Sequence, residues 1–388
     1  MSPPPELNSH VAKERPPFGR IALLLQGGGA LGSYQGGVYA ALSEANIEPD
    51  WVAGISIGAL NSALIAGNPP ESRVARLREF WREITGGTLA IPLIEGAIKG
   101  DYLRRVVNQF RAMEVLFAGA PDFFKPRILP PFLHTPGTIE ALSFCDTTPL
   151  RATLERLVDF DRINAGKIRL SVGATDVRTG NFVYFDTTTH KIRPEHIMAS
   201  GALPPGFPPI EIGGEFYWDG GVVSNTPLQW VLDSRPCEDT LAFQVDLWSA
   251  RGEVPRDITE VDVRTKDIRY SSRTRLGTDQ FKRMQKLRRA IDRLMKEPPG
   301  DRRNDPELKL IEAESDEKVY NIVHLIYHAR EYEGVSKDIE FSRRTMEEHW
   351  SPFARLAIQG CLSVPPMQRA SALSTFPRMD GSRRRCRF

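Results

Sequence analysis

The 388-residue chain is 41% apolar and 26% charged with a formal net charge of +2, enough apolar content to bury a large core and long enough for one big domain plus an extension. Its four cysteines, Cys145, Cys237, Cys361 and Cys386, lie far apart without CxxC or Cys/His spacing. Neither a disulfide framework nor a zinc site is therefore indicated. No apolar run reaches the ~20 residues of a spanning helix. The first twenty residues carry Pro3, Pro4, Pro5, Pro16 and Pro17, the composition of a disordered tail and not of a signal peptide. A cytoplasmic protein is expected, one still able to touch the inner face of a membrane.

In chain order, residues 21–25 are a continuous apolar run of strand length, followed by Gln26-Gly27-Gly28-Gly29-Ala30-Leu31-Gly32 and then a helical pattern over 33–46 carried by Val38, Ala41, Leu42 and Ala45. The glycine loop has three readings. It matches G-x-G-x-x-G, but the acidic residue that a dinucleotide fold needs at the end of a second strand is missing, because Asp50 opens its strand. It also suits an oxyanion hole built from the N–H groups of Gly27, Gly28 and Gly29, and it reads equally as a plain structural turn.

Residues 51–60 then read as a short strand, a Gly54-Ile55-Ser56-Ile57-Gly58 turn and a helix running to about 67. A serine on such a turn has its hydroxyl pushed out of the sheet, and the following helix aims its free N–H groups at the same spot. Gly-x-Ser-x-Gly also arises by chance. Residues 89–144 are apolar and poorly periodic, which suits a lid or an acyl-chain wall as well as it suits a helical subdomain with its own core. A helix is expected over 145–158, strands over 168–174 and 182–185, a helix over 194–200, and a hairpin around Gly213-Gly214 that delivers Trp218-Asp219-Gly220-Gly221. Asp219, at a strand end beside two glycines, has the form of an acceptor held beside a nucleophile, although Asp-Gly-Gly is also a common turn. Asp176, entering a Thr-Gly-Asn turn, reads as a backbone cap.

Taken together, Gln-Gly-Gly-Gly-Ala-Leu-Gly, Gly-Ile-Ser-Ile-Gly and Asp-Gly-Gly resemble the patatin-like phospholipase family. So do the loop Ala199-Ser200-Gly201-Ala202-Leu203-Pro204-Pro205-Gly206-Phe207-Pro208-Pro209 and Ala174-Thr175-Asp176 with Thr179-Gly180. The resemblance spans residues 19–250. It implies an α/β fold with a mostly parallel sheet between helices, and acyl hydrolysis of lipid esters by a Ser-Asp dyad. On these positions it makes Ser56 the nucleophile, Asp219 the general base and residues Gly27, Gly28 and Gly29 the oxyanion hole, with no metal and no organic cofactor. Two rivals are a Ser-His-Asp triad using His324, His328 or His349, and a non-catalytic lipid-binding scaffold on the same fold.

The expected organisation is a tail over 1–18, an acyl hydrolase domain over 19–250, an extension over 251–368 that is helical throughout, and a basic disordered tail over 369–388. Helices are expected at 279–295, 316–332 and 337–359, which puts His324 and His328 one turn apart. Between Arg264 and Arg303 the chain has 14 Lys and Arg against 5 Asp and Glu. Phe281, Met284, Leu287, Ile291, Leu294 and Met295 recur there at helical steps among Lys282, Arg283, Lys286, Arg289, Arg293 and Lys296. Such a basic amphipathic helix suits an anionic membrane surface, while its apolar stripe equally suits packing on the core; nothing resembles a nucleic-acid reading module.

Overall fold

The computed structural model describes residues 15–87, 100–296, 318–330 and 332–350. The expectations for residues 1–14, 88–99 and 351–388, including the basic tail, lie outside them.

One sheet organises the chain. Its strands are β1 (Arg20–Leu25), β2 (Trp51–Ile55), β5 (Arg169–Asp176), β6 (Phe182–Asp186), β7 (Ile210–Ile212), β8 (Glu215–Asp219), β9 (Thr240–Asp246) and β10 (Tyr320–Ile326), in the order β10-β9-β1-β2-β5-β8-β7 with β6 also paired to β5. The run from β10 to β5 is parallel. Strands β6 and β8 pair antiparallel with β5, and β7 with β8. Two short strands, β3 (Lys125–Pro126) and β4 (Cys145–Asp146), form a separate antiparallel pair.

The parallel strands are buried on both faces, which is why β1 and β2 read as unbroken apolar runs. Alternate side chains face opposite layers. Ile21, Leu23 and Leu25 join the large core formed with α1 (Ser33–Glu44), α2 (Ile57–Ala66) and α3 (Pro70–Ile84), whereas Ala22 and Leu24 join Trp51, Ala53, Leu228, Val231, Phe281 and Tyr320 on the other side. Asp50 has a structural task, its carboxylate accepting from the N–H of Ile21 at 2.8 Å. The result is the helix–sheet–helix layering that the sequence resemblance implies.

The extension departs from the expected helices. Residues 320–326 form β10, parallel to β9 at the sheet edge, so the expected helix over 316–332 is corrected and His324 sits on a strand. The segment's Ile322, Val323 and Ile326 fit i, i+4 spacing, but β-branched residues fit a pleated edge at least as well. The helix expected at 279–295 is the last part of a 39-residue helix, Ile258–Lys296, and only Arg343–His349 is helical within the described part of 337–359. Strand β9 between β1 and β10 was not anticipated, although Leu241, Phe243 and Val245 alternate with Ala242 and Gln244.

Two surfaces bear on function. In the helix Asp101–Ala118, Asn108, Ala112 and Val115 face inward, while Leu103, Val106, Phe110, Met113 and Phe117 follow at three- and four-residue steps and are 36–80% exposed. Ile128, Phe132 and Leu133, in the irregular stretch before β4, are 63–99% exposed. This apolar flank is tied to the loop before β7, where Phe144 and Cys145 donate to the carbonyls of Pro205 and Gly206 and Phe123 and Phe124 pack on Phe207. The basic part of the long helix lies elsewhere. Phe281 packs on Tyr320, and Gln285 donates to the Lys318 carbonyl at 3.2 Å, which fixes this stretch at the amino ends of the parallel strands. Its apolar stripe is divided, with Phe281 buried and Met284 and Leu287 exposed beside Lys282, Arg283 and Lys286.

Candidate active site

In open α/β sheets, sites form beyond the carboxyl ends of the strands, and here the chain leaves β1 and β2 through two glycine-rich turns. Between β2 and α2, Ser56 has φ 56° and ψ −126°, a strained region for a residue with a side chain that costs on the order of 1–3 kcal/mol. The flanking glycines are required by space. A Cβ on Gly54 would fall 2.2 Å from the Gly58 carbonyl oxygen, and one on Gly58 would fall 2.2 Å from the Leu25 carbonyl oxygen. The turn is held by Ser200, whose hydroxyl accepts from the Ser56 N–H at 3.1 Å and donates to the Gly173 carbonyl at 2.6 Å. Helix α2 starts at Ile57, so its positive end faces the serine.

Asp219 ends β8, paired with Ala174 of β5, and is 1% exposed. Its backbone is fixed by its N–H donating to the Ala202 carbonyl at 3.0 Å and by its own carbonyl accepting from Thr175 Oγ1 at 3.1 Å. Its carboxylate accepts from the Gly221 N–H at 2.6 Å and lies within hydrogen-bonding reach of the Ser56 hydroxyl. Burial pushes this carboxyl up to about 7, against the opposing pull of the Ser56 and Gly221 hydrogen bonds. Desolvation dominates because the ionised form loses its water while gaining few donors.

The glycine loop lies against the serine, since a Cβ on Gly27 would be 3.0 Å from Ser56 Cβ. Its first carbonyls are taken by side-chain donors. The Gln26 oxygen accepts from Gln35 Nε2 at 2.6 Å, and the Gly27 oxygen accepts from Asn225 Nδ2 at 3.0 Å and Trp248 Nε1 at 2.8 Å. In a planar trans peptide the N–H points opposite to the C=O, so these bonds fix the N–H directions of Gly27 and Gly28. No acceptor takes the N–H of Gly27, Gly28 or Gly29 among the described residues. A cavity of about 230 Å³ lies beside Asp219, lined by residues 221–223, Asn225, Thr226, Arg269 and Tyr270.

Ser56, Asp219 and Gly27–Gly29 are thus brought to one place. Asp176 is not with them; its Oδ1 accepts from the N–H groups of Arg178 and Thr179 at 2.9 and 2.8 Å and caps a turn. Of the histidines of the triad reading, His324 and His349 are also elsewhere. On β10, His324 pairs with Asp246 at 3.3 Å, and the strand order sets β10 three places from β2, about 14 Å at normal strand spacing. His349 is buried against Glu333. Sequence reasoning missed Ser200, Asn225, Trp248 and Tyr270 as supports, and for Asn225 the nearest signal was its place six residues after Asp219.

A family model described as Patatin-like phospholipase matches residues 23–232, more than half of the chain and the span that holds Gly27–Gly29, Ser56 and Asp219. The chain belongs to the patatin-like phospholipase family. A second model, described as Patatin phospholipase, matches residues 268–357, covering the later part of the long helix, β10 and the last described helix. Among solved structures, the crystal structure of VipD from Legionella pneumophila is similar at 14% identity, covering 85% of this chain and 67% of that one with a TM-score of 0.35. The heterodimeric ExoU–SpcU complex from the type III secretion system of Pseudomonas aeruginosa is similar at 19% identity, covering 69% of this chain and 52% of that one with a TM-score of 0.28. As a patatin-like phospholipase, the protein is a hydrolase of lipid acyl esters. Among the described residues no helix is long and apolar enough to cross a membrane.

Proposed function

We propose that the protein cleaves lipid carboxylic esters with Ser56 as nucleophile and Asp219 as its single general base. Asp219 takes the Ser56 hydroxyl proton as Oγ attacks the ester carbonyl. The negative charge that develops on the carbonyl oxygen is met by the N–H groups of Gly27–Gly29 and by the start of α2. Collapse expels the alcohol, which takes the proton back from Asp219 and leaves an acyl ester on Ser56. Water then attacks that ester with Asp219 again accepting the proton, and the fatty acid departs as Ser56 regains its hydrogen.

The observation that carries this reading is the buried Asp219 carboxyl within reach of Ser56 with its pKa raised to about 7. An ordinary aspartate is a poor acceptor for a serine proton, and a base whose pKa lies near the working pH is a far better one. Each well-placed oxyanion donor contributes about 10²–10³ in rate. The test is Ser56→Ala assayed on a soluble aryl ester and on phospholipid. A loss of roughly 10⁶ in kcat with an unchanged melting temperature is expected. Activity within tenfold of wild type would point to another nucleophile, and folded wild-type protein without turnover would leave the scaffold.

Contact with a peripheral membrane surface belongs to the same proposal, on the cytoplasmic side. It is assigned to the apolar flank of residues 101–144 and not to the basic end of the long helix. The flank adjoins the loop that leads to Asp219, while Lys282, Arg283 and Lys286 are at the far end of the sheet. Vesicle binding through Phe110 and Phe117 changes little with salt, whereas binding through the basic stretch weakens as salt rises. Phe110→Ser with Phe117→Ser is expected to lower binding to phosphatidylglycerol vesicles at least fivefold and to spare hydrolysis of the aryl ester. Steep salt dependence with unchanged binding by that variant would return the contact to the basic helix.

A further inference from the structure

The glycine loop is braced from the extension, and the braces converge on one short segment. Gly29 has φ +55°, and a Cβ placed there would lie 2.1 Å from the Asp338 carbonyl oxygen. That same oxygen accepts the Ala30 N–H at 2.9 Å. A backbone carbonyl some 300 positions along the chain is therefore seated directly on the loop, and what fixes that carbonyl fixes the loop.

Two ion pairs fix it. Lys266 Nζ donates to both carboxylate oxygens of Asp338, at 2.8 and 3.0 Å, and to the Val335 carbonyl at 3.0 Å. In the opposite sense, Lys337 Nζ donates to Asp267 at 2.6 Å, with the lysine side chain only 3% exposed. Lys337 also stands 5.0 Å over the ring of Trp248, the same Trp248 whose Nε1 holds the Gly27 carbonyl. One turn further along the long helix, the Tyr270 carbonyl accepts from Gln26 Nε2 at 3.1 Å and from Asn225 Nδ2 at 3.4 Å. Every residue from Gln26 to Ala30 is thus touched by, or held through a partner of, residues 266–270 and 335–338, Gly28 through the packing of Leu247 and Trp248.

We infer that these two segments of the extension form a positioning clamp for the glycine loop, with the crossed pairs Lys266–Asp338 and Asp267–Lys337 setting the aim of the oxyanion donors. The inference rests on the reading that Gly27–Gly29 meet the oxyanion. Lys266 and Asp338 touch no reacting atom. They act through the Asp338 carbonyl, and misplacement of donors by about 1 Å costs on the order of 10² in rate.

The experiment uses the full chain with Lys266→Met and, separately, Asp338→Asn, each assayed on a soluble aryl ester with active sites counted by a fluorophosphonate. Expected is a fall of about tenfold to a hundredfold in kcat per labelled site, with KM within twofold, an unchanged labelled fraction and an unchanged melting temperature. Affinity for a trifluoromethyl ketone, which forms an oxyanion on the nucleophile, should fall in proportion to kcat. Lys266→Arg should return kcat to within threefold of wild type. A structural role alone would lower the labelled fraction or the melting temperature and leave kcat per labelled site intact, and that outcome, or wild-type kcat per site in both variants, overturns the clamp. The underlying reading is tested apart from it, because it fails if Ser56→Ala remains active, whatever Lys266→Met does.

Discussion

The catalytic core and the extension differ in how their residues reach the same site. In the core, Ser56, Asp219 and the glycine loop come from turns whose chemistry is local: a Cβ at Gly54 or Gly58 has no room, so the motif is written into consecutive residues. In the extension, Lys266, Asp267, Lys337 and Asp338 reach the loop by ion pairs and a backbone carbonyl. A backbone carbonyl carries no side-chain signature. Placement by turn geometry announces itself in sequence, whereas placement by long-range bracing does not.

Variants that separate chemistry from support tell the two regions apart. The largest effect after Ser56→Ala is expected from Asp219→Asn, which keeps an acceptor for the Gly221 N–H but removes the base. A loss of about 10⁴ or more in kcat is expected, measured on the aryl ester at pH 8. The same variant has a stability signature. Because the Asp219 pKa rises from 3.8 to about 7 on folding, the folded state holds this proton more tightly. The contribution to stability is therefore full below pH ~4, falls as pH rises and is lost above pH ~7. At about 1.4 kcal/mol per pH unit of difference, the total approaches ~4 kcal/mol. Denaturant titrations should show wild type losing stability relative to Asp219→Asn across that window; parallel curves would count against a buried, raised carboxyl.

A smaller effect is expected from Gly27→Ala, whose methyl would press on Asn225 Oδ1 at 2.4 Å and on Ser56 Cβ at 3.0 Å. A decrease of about 10²–10³ in kcat at unchanged labelling of folded protein is the expected result. Smaller still is the effect of His324→Gln, within threefold of wild type, because its partner is Asp246 and not Ser56. A loss of more than a hundredfold there would revive the triad. Charge reversal at Lys282, Arg283 and Lys286 is expected to change aryl-ester turnover by less than twofold.

These contrasts also explain what could be read before the structure. Strands β1 and β2 were legible because burial on both faces demands unbroken apolar runs, and the turn after Asp219 was legible because Gly220 lets it pass close to Gly173, where a Cβ would meet the carbonyl at 2.6 Å. Strand β10 was misread because Ile322, Val323 and Ile326 satisfy a helical spacing that edge pairing to β9 overrides. The basic stretch was read as a whole amphipathic face, yet burial of Phe281 on Tyr320 divides it. Asn225 and Ser200 were not legible as supports, since each acts through hydrogen bonds to two backbone groups distant in sequence.

The central claim is that Asp219 draws the proton from Ser56, and the most direct measurement is the rate of fluorophosphonate labelling against pH, with the adduct located by mass spectrometry. The adduct is expected on Ser56, with a rate that rises tenfold per pH unit below about 7 and levels above it in wild type, and that is slow and flat across the same range in Asp219→Asn. An adduct on another residue of folded protein, or the same pH dependence in both proteins, would contradict it.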